Sequence, residues 1–291
     1  MSSFGNPPQN DAEPTGWVRS PSYRLALCFL VALSATAQSQ VFEKITITPA
    51  HSPDPRGMRL QVLPDGDLRA SAVNGITLLS YAYAVPSNPS SRLSSLPDWV
   101  YSDRWDIEAK APASAMPAGL SDSEAQNRIQ QMIRRLLADR FKLVMQTENK
   151  RMSVYALTVA SGGPKLQKSN IDTQNCIFDT APDGCHSFVI GFGHPLNAGA
   201  IDMDDLARYI ENWTDLPVVN HTALTGLFTV NSEGWLPMQL PPPPPNGAGN
   251  VDFSHLPTIF TVLGKLGLEL QRQEDTLPVY TVERIERPTA N

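Results

Sequence analysis

The sequence predicts an α+β protein made of two related halves, each a small, mostly antiparallel or mixed sheet covered by two helices. Three observations carry that expectation. Short β-branched stretches alternate with amphipathic helical ones along most of the chain. Residue types recur at an offset of 125 between the halves, Leu143 with Leu268, Gln146 with Gln271 and Tyr155 with Tyr280. Ile76 with Ile201 and Ala82 with Ala207 keep the same offset before the second helices.

In chain order, Val41 to Thr48 alternates and ends at Pro49, a strand. Asn74 to Val85 reads as a helix with Thr77 as N-cap, and Trp105 to Ala109 as a strand. Ser121 opens a helix whose Glu124 completes a capping box, and Ile129, Met132, Ile133, Leu136 and Leu137 form one apolar stripe. Arg128, Arg134 and Arg135 fall largely off that stripe, on what reads as a solvated face. Phe141 to Met145 and Val154 to Val159 then read as a strand pair around Asn149-Lys150-Arg151.

The second half repeats the order. Asp202 caps a helix carrying Met203, Leu206, Ala207 and Ile210, with strands at Pro217 to Val219 and Leu227 to Val230. A helix from about Pro257 to Leu266 and strands at Leu268 to Leu270 and Val279 to Val282 close the fold. The domain boundaries that follow are 1–37 for a signal peptide, 41–167 for the first half, 168–199 for a connecting segment and 200–291 for the second half. Pro241 to Gly249 is a proline-rich surface loop inside that second half.

The signal peptide is read from a polar start with Arg19 and Arg24, the apolar run Leu25 to Leu33, and the small residues Ser34 to Ala37 before the cut. The apolar run is shorter than the roughly 20 residues a bilayer span needs, so no membrane span is expected after cleavage. Leu27 precedes Cys28 where a lipid-anchor signal wants a small residue, which argues against a lipoprotein. The mature chain keeps Cys176 and Cys185. Nine positions apart in an oxidising compartment, they read as a local disulfide, the alternative being a metal set of Cys176, Cys185, His186 and His194.

The chain has 291 residues, 41% hydrophobic and 18% charged, enough apolar material for one large or two small cores. A net charge of -6, with the basic residues dispersed, provides no cationic stripe for a phosphate backbone, so no nucleic acid is expected as a partner. The sequence carries no Gly-x-Ser-x-Gly elbow, no His-Glu-x-x-His and no glycine-rich phosphate loop. His51, His186, His194, His221 and His255 are scattered, mostly in loops. Asp202, Asp204 and Asp205 suit a helix start better than a calcium loop, because Ala207 stands where such a loop needs glycine.

Phe42 to Pro49, Asn74 to Val85, Pro97-Asp98-Trp99 and Ser102 to Pro112 are, taken together, similar to a soil-associated bacterial family expanded in Acidobacteria, a domain of unknown function (DUF3738). Leu136 to Leu143, Gly162 to Leu166 and Leu266 to Pro288 continue the resemblance over nearly the whole mature chain. The resemblance implies export and supplies no reaction. It departs at Asn220-His221-Thr222-Ala223-Leu224-Thr225-Gly226, where relatives read Asp-Lys-Thr-Gly-Leu-Thr-Gly. The helix, strand and Thr-Gly pattern also resembles the short N-terminal modules of secretins and TonB-dependent receptors, which implies an interaction role.

The functional expectation is therefore an exported, secreted or periplasmic binding module for an envelope protein or a glycan, with Trp99, Asp98, Asp103 and His221 as candidate contacts and no metal or cofactor. The alternative is a secreted hydrolase with its site between the halves, using Asp98, Asp103 or His221.

Overall fold

A computed structural model describes residues 41–51, 57–88, 90–171, 176, 178–180, 184–188, 195–238 and 255–290. The expected signal peptide, the loop at 241–249 and His194 lie outside them. The fold is α+β. Four strands, β1 (Lys44–Pro49), β2 (Arg59–Val62), β3 (Leu68–Val73) and β5 (Trp105–Lys110), form an antiparallel sheet in the order β1-β5-β3-β2. Against it pack α1 (Gly75–Tyr83) and α3 (Asp122–Arg140), with the short α2 (Trp99–Ser102) alongside α1.

Helix α3 forms for the reasons its sequence gives. Ser121 Oγ accepts from the Glu124 backbone while Glu124 Oε2 accepts from the Ser121 N–H at 2.9 Å. Such a cap is worth about 1 kcal/mol. The five stripe residues are all nearly inaccessible; at about 1.5–3 kcal/mol for each fully buried aliphatic chain, burial outweighs the cap as the reason the helix persists. Its arginines do more than solvate a face: Arg134 Nε donates to the Ala82 carbonyl at 2.7 Å and its guanidinium lies 4.8 Å over the Tyr83 ring. In α1 the cap is Asn74, whose side chain accepts from Thr77 N–H, so Thr77 is the third helical residue rather than the cap.

A second antiparallel sheet, β7 (Gln167–Lys168), β10 (Phe228–Asn231) and β8 (Asn197–Ile201), packs with α4 (Met203–Glu211) and α5 (Ile259–Lys265) around the fully buried Trp235. Joining the two cores is a mixed sheet, β4-β11-β6-β9, made of β4 (Leu93–Ser94), β11 (Leu268–Arg284), β6 (Val144–Val159) and β9 (Val218–Asn220). Here the strand pair expected at 141–145 with 154–159 is one continuous strand that starts only at Val144, after Phe141 caps α3 and Lys142 turns at φ 52, and the separate strands expected at 268–270 and 279–282 are likewise one. Asn149-Lys150-Arg151 and Thr276-Leu277-Pro278 look like turn segments, but each stays extended because it lies opposite the other strand in an unbroken ladder.

That ladder runs from Leu268 opposite Val159 to Val282 opposite Met145, with a bulge before Arg284 opposite Val144. One end of β11, with Tyr280 and Val282, enters the first core, while its other end, with Leu268 and Leu270, enters the second. On the outer edges Tyr155 lies beside Val218 and Tyr280 beside Leu93, both parallel. Tyr280 minus Tyr155 and Val218 minus Leu93 are both 125, and so is Thr276 minus its ladder partner Arg151. The helices depart from this spacing: the N-caps Asn74 and Asp202 are 128 apart. Ile76 consequently lies within α1 whereas Ile201 ends β8, so that pair is not equivalent.

A buried ion pair ties the two cores beside the ladder. Arg92 Nη1 lies 3.2 and 3.0 Å from the two oxygens of Glu211, with side chains 10% and 4% exposed. Burial pushes the Glu211 carboxyl up to about 7 even with Arg92 opposing it. The folded chain therefore binds this proton more tightly than the unfolded chain, and the Glu211 contribution to stability is full below about 4.5 and is lost as pH rises through about 7. Urea midpoints measured across that window should fall with pH more steeply in the wild type than in Glu211→Gln. Arg92→Met, which leaves the carboxylate buried without its partner, should cost about 3–5 kcal/mol above the transition.

Candidate functional site

Cys176 and Cys185 form a disulfide with a Cα separation of 5.3 Å. Around it the chain extends the free edge of β2. Val62 N–H donates to the Phe178 carbonyl at 2.9 Å, Thr180 N–H donates to the Leu60 carbonyl at 3.1 Å, and Thr180 Oγ1 accepts from Leu60 N–H at 2.9 Å. The largely buried Asp179 carboxylate accepts from Arg59 at 3.0 and 2.6 Å and from Gln61 at 2.9 Å. Gly184 passes so close to this segment that a Cβ would lie 2.1 Å from the Asp179 carbonyl oxygen, which leaves glycine as the residue that fits. His186 N–H then donates to Ala200 of β8 at 2.8 Å, so one short segment touches both cores.

Behind this segment lies a cavity of about 440 Å³. Its walls are Val62 to Pro64, Tyr81, Met116 to Leu120, the first turns of α3 through Ile129, and Cys176, Phe178 and His186. The lining is mostly apolar. Tyr81 and Phe178 pack ring to ring at 4.5 Å, and burial pushes the Tyr81 phenol well up.

Of the polar residues in this wall Tyr81 is buried, Asp122 is exposed, and Gln126 and His186 are partly buried; the one held by other side chains is His186. Its backbone is left-handed at φ 56, a strain of order 1 kcal/mol that its hydrogen bonds offset. Nδ1 lies 2.6 Å from Asp205 Oδ2. Asp205, 2% exposed, also accepts from Arg208 and from the Asp202 backbone while Asp202 accepts from its N–H, a reciprocal capping box at the start of α4. Burial pulls His186 down, but the Asp205 hydrogen bond and charge outweigh it and hold the imidazole above its ordinary value. Burial and the Asp205 charge push Asp202 up to about 6. His186, Asp202 and Asp205 approach within 4.8 Å of one another. As a cation site the set fits poorly, because both Asp205 oxygens already accept from donors and Arg208 brings a positive charge to one of them.

The residues singled out from the sequence fall in two other places. Asp98 precedes α2 without a side-chain capping bond. Trp99 is half-buried, edge-on to Trp105 at 5.7 Å, with the Arg287 guanidinium 5.3 Å over its ring. Arg287 also binds Asp103 at 2.6 Å and holds that carboxyl below its usual range. These contacts clasp the C-terminal segment and occupy the face a sugar would stack on. His221 lies after β9, its ring 3.2 Å from Asp275 and 3.3 Å from Gln273 of β11. In the same turn Asn220 accepts from Thr222 N–H and Oγ1, and Ala223 adopts φ 54, the left-handed region, where the resembling family has glycine. Reading the sequence did not pair His186 with Asp205; the available signal was a histidine adjoining a tethered cysteine.

Fold and site together define a two-core α+β protein with a disulfide-braced, mostly apolar cavity that has in its wall a histidine held by Asp205. It belongs to the family described as "Protein of unknown function (DUF3738)", whose profile matches residues 76–285. No curated protein and no solved structure matches it.

Two outcomes follow from this geometry. In Asp205→Asn the His186 titration, followed by its Cε1 proton resonance, should move down from its wild-type value, because burial and Arg208 are then opposed by the Asp202 charge without that of Asp205. Ala223→Gly should raise stability by roughly 0.5–1 kcal/mol in chemical denaturation, since glycine carries no Cβ penalty at positive φ.

Proposed function

We propose that this chain is an exported, extracytoplasmic, non-catalytic binding module whose site is the cavity between α3 and the disulfide-braced segment. The observation that carries the reading is a mostly apolar cavity of about 440 Å³ with a few polar groups in its wall, Tyr81 and His186 among them. Small-molecule sites are commonly of this size and make-up. The disulfide supports an oxidising compartment. Among the described residues no helix is long and apolar enough to cross a membrane. The apolar lining favours a ligand, or a partner's side chains, with an apolar body over a glycan.

The two-fold character of the ladder, with Arg151 opposite Thr276 and the outer pairings repeating at the same offset, supports origin by internal duplication. Only one copy of the cavity would then have been kept, because the disulfide segment that walls it is an insertion between the halves. A hydrolase is the second reading, favoured by one observation: Asp205 holds His186 Nδ1 as an orienting carboxylate holds a general base. Against it, among the described residues no hydroxyl or thiol is hydrogen-bonded to that imidazole.

The test is a dye that brightens in apolar sites, such as an anilinonaphthalene sulfonate, titrated into the oxidised chain. Saturable binding near one equivalent, abolished in Ala125→Trp, which fills the cavity beside α3, supports the proposal. Binding that survives Ala125→Trp unchanged would place the apolar site elsewhere.

A further inference from the structure

Resting on the reading of this cavity as the binding site, we infer that it takes an amphiphilic carboxylate, the apolar body among Leu63, Met116, Leu120, Ile129 and Phe178 and the carboxylate against His186 Nε2–H. The polarity of the walls gives the orientation. Asp122 and Gln126 lie on the first turns of α3, where Asp122 is exposed and carries a charge that repels an anion. His186 is at the buried side, its side chain 16% exposed. With Nδ1 committed to Asp205, Nε2 is the ring nitrogen left to a ligand; it is a donor in the protonated ring, which the Asp205 carboxylate favours, and an acceptor in the neutral Nδ1–H tautomer, so it is the imidazolium that binds the carboxylate.

Beneath the imidazole Asp205 and Asp202 face His186 and Arg208, so the cluster is close to balanced and the preference for an anion rests on the Nε2–H donor of the protonated ring. Asp205 is shared between two cations, His186 when protonated and Arg208, so neither of its oxygens is left to attract a ligand ammonium. An alcohol head could accept from Nε2–H as well, but a carboxylate accepts in a charge-assisted bond that is roughly twice as strong. Apolar neighbours such as Phe178 and Ile129 make that difference larger than in bulk water, while the open mouth of the cavity screens part of it.

Decanoate, decanol and decylamine separate these heads on one common tail. Isothermal titration of the oxidised full-length mature chain should give decanoate about tenfold or more tighter binding than either of the others, the equivalent of one hydrogen bond to a charged group. His186→Asn, chosen because asparagine tolerates the left-handed backbone at this position, should erase that advantage while leaving decanol binding within about twofold. In the wild type the His186 ring protons should shift on adding decanoate, a readout that does not depend on the variant folding. Equal binding of the three ligands, or a decanoate advantage that persists in a folded His186→Asn, overturns the carboxylate assignment and leaves the cavity as a general apolar site. Failure of all three to bind or to displace the dye overturns the cavity reading itself.

Discussion

The ladder between β6 and β11 is the constraint on which the rest of the structure depends. Neither strand belongs to one core. The two ends of β11 are buried in different clusters, β6 follows with Met145 packed against the first and Leu157 buried in the second, and the middle, around Lys150 and Arg151 opposite Leu277 and Thr276, carries polar or partly exposed side chains. Because side chains alternate between faces, slipping the register by one residue would turn Tyr280 and Val282 out of the first core and Leu268 and Leu270 out of the second together. Two buried ends thus fix a pairing that the exposed middle alone would leave loose. The Arg92–Glu211 pair and the contacts of Asn212 with Ser87 and Asn88 then lock the flanking loops in the spacing that the ladder sets.

What was legible in the sequence was local. The capping box at Ser121, the apolar stripe of α3, the Asp202 cap and the disulfide are each decided within a few residues, by hydrogen-bond geometry or helical period, and each stands in the structure as read. The strands around Asn149 and Pro278 were not, because polar residues and proline in an alternating run look like a turn until the partner strand is known. Strands β2 and β3, at Arg59–Val62 and Leu68–Val73, do alternate in polarity and burial, but over so few residues, with small Ala and Ser in β3, that the pattern stands out only beside their neighbours in the sheet.

The site was less legible for a related reason. Asp205 was read as part of a helix start, and it is that; the same carboxylate also holds His186 and Arg208. A local explanation that is sufficient hides a tertiary role. Trp99 and Asp103 stood out as an aromatic beside acids, but the partner that engages both, Arg287, lies at the far end of the chain and has no periodic relation to them.

The exchange of strands between the cores also has a consequence in time. Tyr280 and Val282 complete a cluster otherwise built from residues 42–143, so the first core lacks one of its strands until nearly the last segment of chain is present. A chain made or threaded from its N-terminus completes the four-stranded sheet by Lys110, yet the cluster around Leu78, Ile107 and Met132 lacks the cover of Tyr280 and Val282 until β11 arrives. Pairings so distant in sequence close slowly, since the loop entropy is spent before contact is gained. Until then that apolar surface is exposed, which is the condition under which folding chains aggregate.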